Sequence, residues 1–111
     1  MAENEQHKMI AAPRADLGRV AIVVELFGMA RIASGRRSVE LTLAAFGTTS
    51  SLAAALVDAC PELVGDAVRE DGTGLLASYT VNINGSRFVS GESLDLEQGD
   101  SVLLFSSQAG G

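Results

Sequence analysis

The clearest chemical potential in this 111-residue chain lies in its last two residues, Gly110 and Gly111, which close the stretch SSQAGG. A terminal carboxylate becomes an acyl donor only after its oxygen is made a good leaving group, and an acyl-adenylate formed with ATP on a partner enzyme is the obvious route. Glycine suits that position. It has no Cβ to crowd attack on the carbonyl and no stereocentre to lose, and its backbone reaches conformations that strain other residues. Ser106, Ser107, Gln108 and Ala109, all small or uncharged, join the glycines to the apolar run SVLLF. Six extended residues span roughly 20 Å, enough to thread a narrow channel in another protein while a folded body stays outside. The plain alternative is a frayed end without a role.

Other residues with chemical character carry less. Cys60 ends a helical stretch on or beside its apolar face and reads as an inert core thiol. As the only cysteine it forms no intramolecular disulfide, which makes a cytoplasmic location the default expectation. His7 has no base-and-nucleophile context, and NGS at 84–86 reads as a turn rather than a glycosylation site. Arg36 and Arg37 could hold an anion or an acidic partner, although a solvated loop is the plainer reading. The DGTG glycines neither lead from a strand into a helix nor precede a P-loop lysine, and no metal-ligand cluster or catalytic triad is present. The chain is expected to bind no cofactor itself.

Composition narrows the partners. The net charge is −6, and residues 20–111 hold all of the surplus, with five basic against eleven acidic side chains. Such a surface disfavours nucleic acid, whose phosphates need Lys and Arg clusters, and favours a basic protein partner. No apolar run approaches the roughly 20 residues of a membrane helix, so no membrane is expected. With 47% hydrophobic residues but only 5% aromatics, one light core of Val, Leu, Ile and Ala is expected.

The elements that would position the tail follow from periodicity. Residues 1–18 mix charges without a period, include Pro13, and read as a flexible leader. VAIVVELF at 20–27 is continuous enough to predict a central strand buried on both faces, and GMARIASGRRS after it a loop. SVELTL at 38–43 alternates as a half-buried strand. SSLAAALVDAC sets Leu52, Ala55, Leu56 and Ala59 on one helical face, with Thr49 or Ser50 as cap and Pro61 as terminator. PELVGDAVREDGTGLLA reads as one short helical turn and a Gly-rich loop. Asn84-Gly85 in SYTVNINGSRFV signals a second hairpin, and EQGD a bend into a last strand at 101–105. The predicted fold is α+β: a mixed sheet of about five strands, one main helix across one face, and the first and last strands side by side at the centre. The body would span 19–105 and the extended tail 106–111.

This arrangement, together with QGDSVLLF, the terminal AGG and the opening VELFGMARIASG, resembles the β-grasp (ubiquitin-like) MoaD/ThiS family of sulfur carriers. That family includes the small subunit of molybdopterin synthase and the thiamine-pathway carrier. The resemblance covers about residues 20–111. It departs from the molybdopterin member where Ser106 and Ser107 replace a proline pair, and from the thiamine member in its longer 65–78 loop. It implies a carrier or small subunit, not a self-sufficient enzyme, whose Gly111 is adenylylated by a ubiquitin-activating-type adenylyltransferase using ATP. The resulting thiocarboxylate would serve a sulfur-accepting synthase such as a molybdopterin synthase large subunit or a thiazole synthase. Two rivals share the fold: a ubiquitin-like modifier joined through Gly111 to lysines, and a β-grasp interaction domain with an inert tail. Phe27, Phe88 and Phe105 all fall in predicted strands. They either pack in the core or form an exposed partner-binding patch on the helix-free face, with Phe105 the favoured contact.

Overall fold

The computed structural model describes residues 18–106. Residues 1–17 of the expected 1–18 leader and the tail positions Ser107, Gln108, Ala109, Gly110 and Gly111 lie outside the described residues. Strand β1 (Arg19–Leu26) is followed by helix α1 (Gly28–Ser34), β2 (Ser38–Ala44), helix α2 (Thr49–Ala59), a 3-10 turn at Pro61–Leu63, and strands β3 (Tyr79–Ile83), β4 (Arg87–Phe88) and β5 (Ser101–Ser106). The sheet order is β2-β1-β5-β3-β4. β1 and β5 are parallel neighbours at its centre, and the other pairings are antiparallel. This is the α+β, β-grasp architecture expected from the sequence. Among the described residues no helix is long and apolar enough to cross a membrane.

The core lies on one face only. Ile22, Val24 and Leu26 of β1, Val39, Leu41 and Leu43 of β2, Val81 and Ile83 of β3, and Val102 and Leu104 of β5 pack against Leu52, Ala53 and Leu56 of α2. The expectation that β1 is buried on both faces is therefore corrected. Its place is central, but Val23, Glu25 and Phe27 are only half-buried on the face that no helix covers. A β-branched run satisfies strand geometry whether its second face is packed or open, so its continuity could not distinguish the two.

Local chemistry explains most boundaries. Thr48 caps α2, one residue before the two candidates. Its hydroxyl accepts from the Ser51 amide while Ser51 Oγ accepts from the Thr48 amide, a reciprocal capping box. The buried helical face is Leu52, Ala53 and Leu56, whereas Ala55 and Ala59 are half-buried. Gly47, just before the cap, allows a close approach: a Cβ there would meet Ser51 Oγ at 2.8 Å and the Ala44 carbonyl oxygen at 3.0 Å. Pro61 follows the helix end as expected.

The segment after β1 is not a loop throughout. α1 forms over seven residues, buries Ala30, and stops at Gly35, whose φ of 72° lets its amide donate to the Arg31 carbonyl. Seven residues are too few to display a period, but the Gly35 stop was a readable signal.

Candidate docking face and tail exit

The bend EQGD places the last strand. Gln98 Oε1 accepts from the Ala21 amide, Gly99 donates to the Ala21 carbonyl, and Val23 donates to the Asp100 carbonyl, so the bend is fastened to β1 before β5 begins. Asp100 secures the neighbouring hairpin as well. One carboxylate oxygen accepts from Asn84 Nδ2 at 2.9 Å and the other from the Glu97 amide at 2.8 Å, while Asn84 Oδ1 accepts from the Ser101 amide at 2.8 Å. Asn84 and Gly85, with φ of 59° and 74°, form the tight turn that their dipeptide predicts. β5 thus starts from a fixed point and runs to Ser106, the partner of Tyr79 in the β3 register.

Alternation along the strands sends Leu103 and Phe105 of β5 to the helix-free face, with Val23 and Glu25 of β1. Asn82 of β3 lies opposite Leu103 on one side and Phe88 on the other. Three of the predicted contact residues come together here. The Phe105 ring stands between Phe27 and Phe88, with both centroid distances 6.2 Å and interplanar angles of 87° and 69°. Phe27 and Phe105 are half-buried, while Phe88, on the two-residue edge strand, is 64% exposed. Edge-on contacts of this kind stabilise by about 0.5–1.5 kcal/mol per pair beyond area burial. Part of the row therefore supports the sheet, and part faces solvent.

Of what surrounds this row, the sequence pointed to Arg37 but not to Arg31. Arg31 from α1 and Arg37 before β2 line a shallow cleft with Val23, Glu25, Phe27 and Ser38. Neither arginine is in an ion pair among the described residues, where the one ion pair joins Arg69 to Asp71. A basic rim therefore flanks the aromatic row on an otherwise acidic chain. Arg36, the other arginine singled out in the sequence, is exposed and does not line this cleft. Met29 and Ile32 of α1 add exposed apolar surface.

At the other side of the exit, burial and the nearby Asp66 carboxylate push the Tyr79 hydroxyl above its ordinary value, partly offset by the backbone amide of Ala30. Asp71 is held below the usual carboxylate range by the backbone amide and hydroxyl of Thr73. Cys60 is buried at 1% exposure and packs in the core. Among the described residues no group of His, Cys, Asp and Glu side chains could hold a metal ion.

Known structures share the fold. Small archaeal modifier protein 1 from Haloferax volcanii is 27% identical with a TM-score of 0.65, over 82% of this chain and 99% of that one. The Methanosarcina acetivorans protein of the same name is 21% identical with a TM-score of 0.66, over 84% and 98%. A candidate molybdopterin converting factor subunit 1 from Pyrococcus furiosus is 24% identical with a TM-score of 0.56, over 78% and 97%. The chain has the ubiquitin-like β-grasp fold. No protein-family model and no curated protein sequence matches it. Relative to this β-grasp frame, the aromatic row lies beside the end of the central strand that leads into the Gly-Gly stretch.

Proposed function

We propose that this β-grasp protein presents the Gly111 carboxylate to a ubiquitin-activating-type adenylyltransferase and then works as a sulfur carrier. The single observation behind this reading is the row Phe27–Phe105–Phe88 on the helix-free face, next to the strand end from which residues 107–111 continue. A body docked through that row holds the start of the tail at a set distance from the partner's active site, so activation needs only a short reach. The carboxylate oxygen attacks the α-phosphate of ATP and pyrophosphate leaves. Hydrosulfide released from a sulfur donor then attacks the acyl carbon, a C–S bond forms as the C–O bond to AMP breaks, and the thiocarboxylate left at Gly111 is consumed by a synthase. In this reading Gly110 and Gly111 are the working end, Ser106, Ser107, Gln108 and Ala109 thread the partner's channel, and Phe27, Phe88 and Phe105 anchor the body. The protein supplies a carboxylate and a shape, and the partners supply ATP and catalysis.

A second reading has its own support in the likeness to small archaeal modifier protein 1, 27% identical over 82% of this chain. Here the acyl-adenylate reaches a lysine amine and the product is an isopeptide. Both readings share the activation step and part at the nucleophile.

The test is intact-mass spectrometry after incubation with the adenylyltransferase, ATP and a sulfur donor. Replacement of one oxygen by sulfur at Gly111 supports the carrier, and isopeptide-linked adducts support the modifier. One alanine added after Gly111 should abolish either product with the circular dichroism spectrum unchanged, because it puts a methyl group beside the reacting carbon and overshoots the catalytic position. Normal loading of that variant without trimming refutes the proposal.

A further inference from the structure

Asn82 is the buried polar side chain of the described core strands, 6% exposed, and its Oδ1 has no hydrogen-bond partner. It does not point toward α2. Alternation with Val81 and Ile83 turns it to the helix-free face, where its cross-strand neighbours are Leu103 and Phe88. An unpaired acceptor therefore lies in the floor of the aromatic row. Leaving such a group unpaired is costly, and native structures contain few of them. Leucine has the same branched outline, although it is bulkier, and it suits a β-sheet better, so the fold alone gives no reason for an amide at this position. Where a local rule is broken without compensation inside the fold, the compensation is sought in a bound state.

Resting on the docking reading above, we infer that Asn82 is a partner-recognition residue whose Oδ1 accepts a hydrogen bond from the docked protein. The occupant is a protein segment that presents an N–H or O–H donor between apolar side chains. The apolar groups cover the phenylalanines and the donor reaches the amide. Binding must uncover Oδ1, and the neighbour best placed to yield is Phe88, 64% exposed on a strand of two residues. Arg31 and Arg37 at the edge of the same face match acidic residues flanking that donor. Recognition by a buried acceptor is selective, because a surface without the donor leaves the acceptor unpaired after water is excluded. An apolar patch alone would accept many partners.

The experiment measures affinity and thermal stability together, using the full-length chain and the ubiquitin-activating-type adenylyltransferase of the same organism by isothermal titration. Asn82→Leu should melt higher, by roughly 4–8 °C, because an unpaired buried group is removed. Its affinity should fall about tenfold, because the partner's donor then loses its acceptor. Asn82→Ala removes the acceptor without adding bulk and should lose affinity to a similar degree, which separates a lost hydrogen bond from a steric block. Wild-type affinity in either variant overturns the inference. So does a fall in both stability and affinity for Asn82→Leu, since that marks the amide as a structural element. Phe105→Ala is the parallel control. If it binds like the wild type, or the wild type does not bind, the docking reading itself fails. Loss of binding in Phe105→Ala with retention in Asn82→Leu refutes only the role given to Asn82.

Discussion

Phe88→Ala separates docking from folding more sharply than any other change on this face. The ring is 64% exposed, so about a third of its surface is buried, and it makes one ring contact, with Phe105 at 6.2 Å. Burying a whole Phe side chain stabilises by about 1.5–3 kcal/mol, so a third contributes about 0.5–1 kcal/mol. The ring pair adds about 0.5–1.5 kcal/mol. Allowing for overlap, truncation should destabilise by about 1–2 kcal/mol and lower the melting temperature by roughly 5–10 °C, leaving the protein folded at 25 °C. Docking should suffer more. A central aromatic anchor typically contributes 2 kcal/mol or more, so affinity for the adenylyltransferase should drop about 30-fold. Phe105→Ala, which removes two ring contacts and a half-buried ring, should cost about 2–4 kcal/mol of stability and lose affinity as well. Calorimetric melting and isothermal titration on both variants give the comparison. Undiminished affinity in Phe88→Ala, or a stability loss larger than that of Phe105→Ala, would refute the reasoning, because either result contradicts a row whose outer ring faces the partner.

Thr48→Ala removes the hydroxyl that accepts from the Ser51 amide and should destabilise by about 1 kcal/mol in urea unfolding, with docking unchanged. Gly47→Ala puts a methyl group against Ser51 Oγ and the Ala44 carbonyl and should cost about 1–3 kcal/mol in the same assay, more than an ordinary surface substitution. The Tyr79 hydroxyl titrates above its unfolded value of 10.0, so the folded state holds the proton longer. Its contribution is complete below pH 10 and is lost as pH rises through the folded value. Melting temperatures followed upward from pH 9 should therefore fall more steeply in the wild type than in Tyr79→Phe.

Much of the architecture was legible because its signals are local. Asn84-Gly85 can form its tight turn from two residues' backbone freedom alone. Pro61 cannot continue a helix that precedes it, whatever packs around it, and the alternation of Val39, Leu41 and Leu43 identifies β2 without knowledge of its neighbours. The likeness of VLLF to VAIVVELF was enough to place β5 beside β1 at the sheet centre. α1 escaped notice because seven residues show no period, and the capping residue was misplaced by one because four consecutive hydroxyl residues, Thr48 to Ser51, compete for that role.

The composition of the tail, the acidic charge and the strand pattern belong to the sequence alone, because each depends on residue type and spacing along the chain. Which face of the sheet is open is decided elsewhere, by where α2 crosses. That crossing turns Phe27, Phe88 and Phe105, far apart in sequence, into one row and leaves Asn82 unpaired beneath it. A strand residue carries the same local preference whether its side chain meets a helix or solvent, so only the tertiary packing separates a core phenylalanine from an anchor and a tolerated asparagine from an unpaired one.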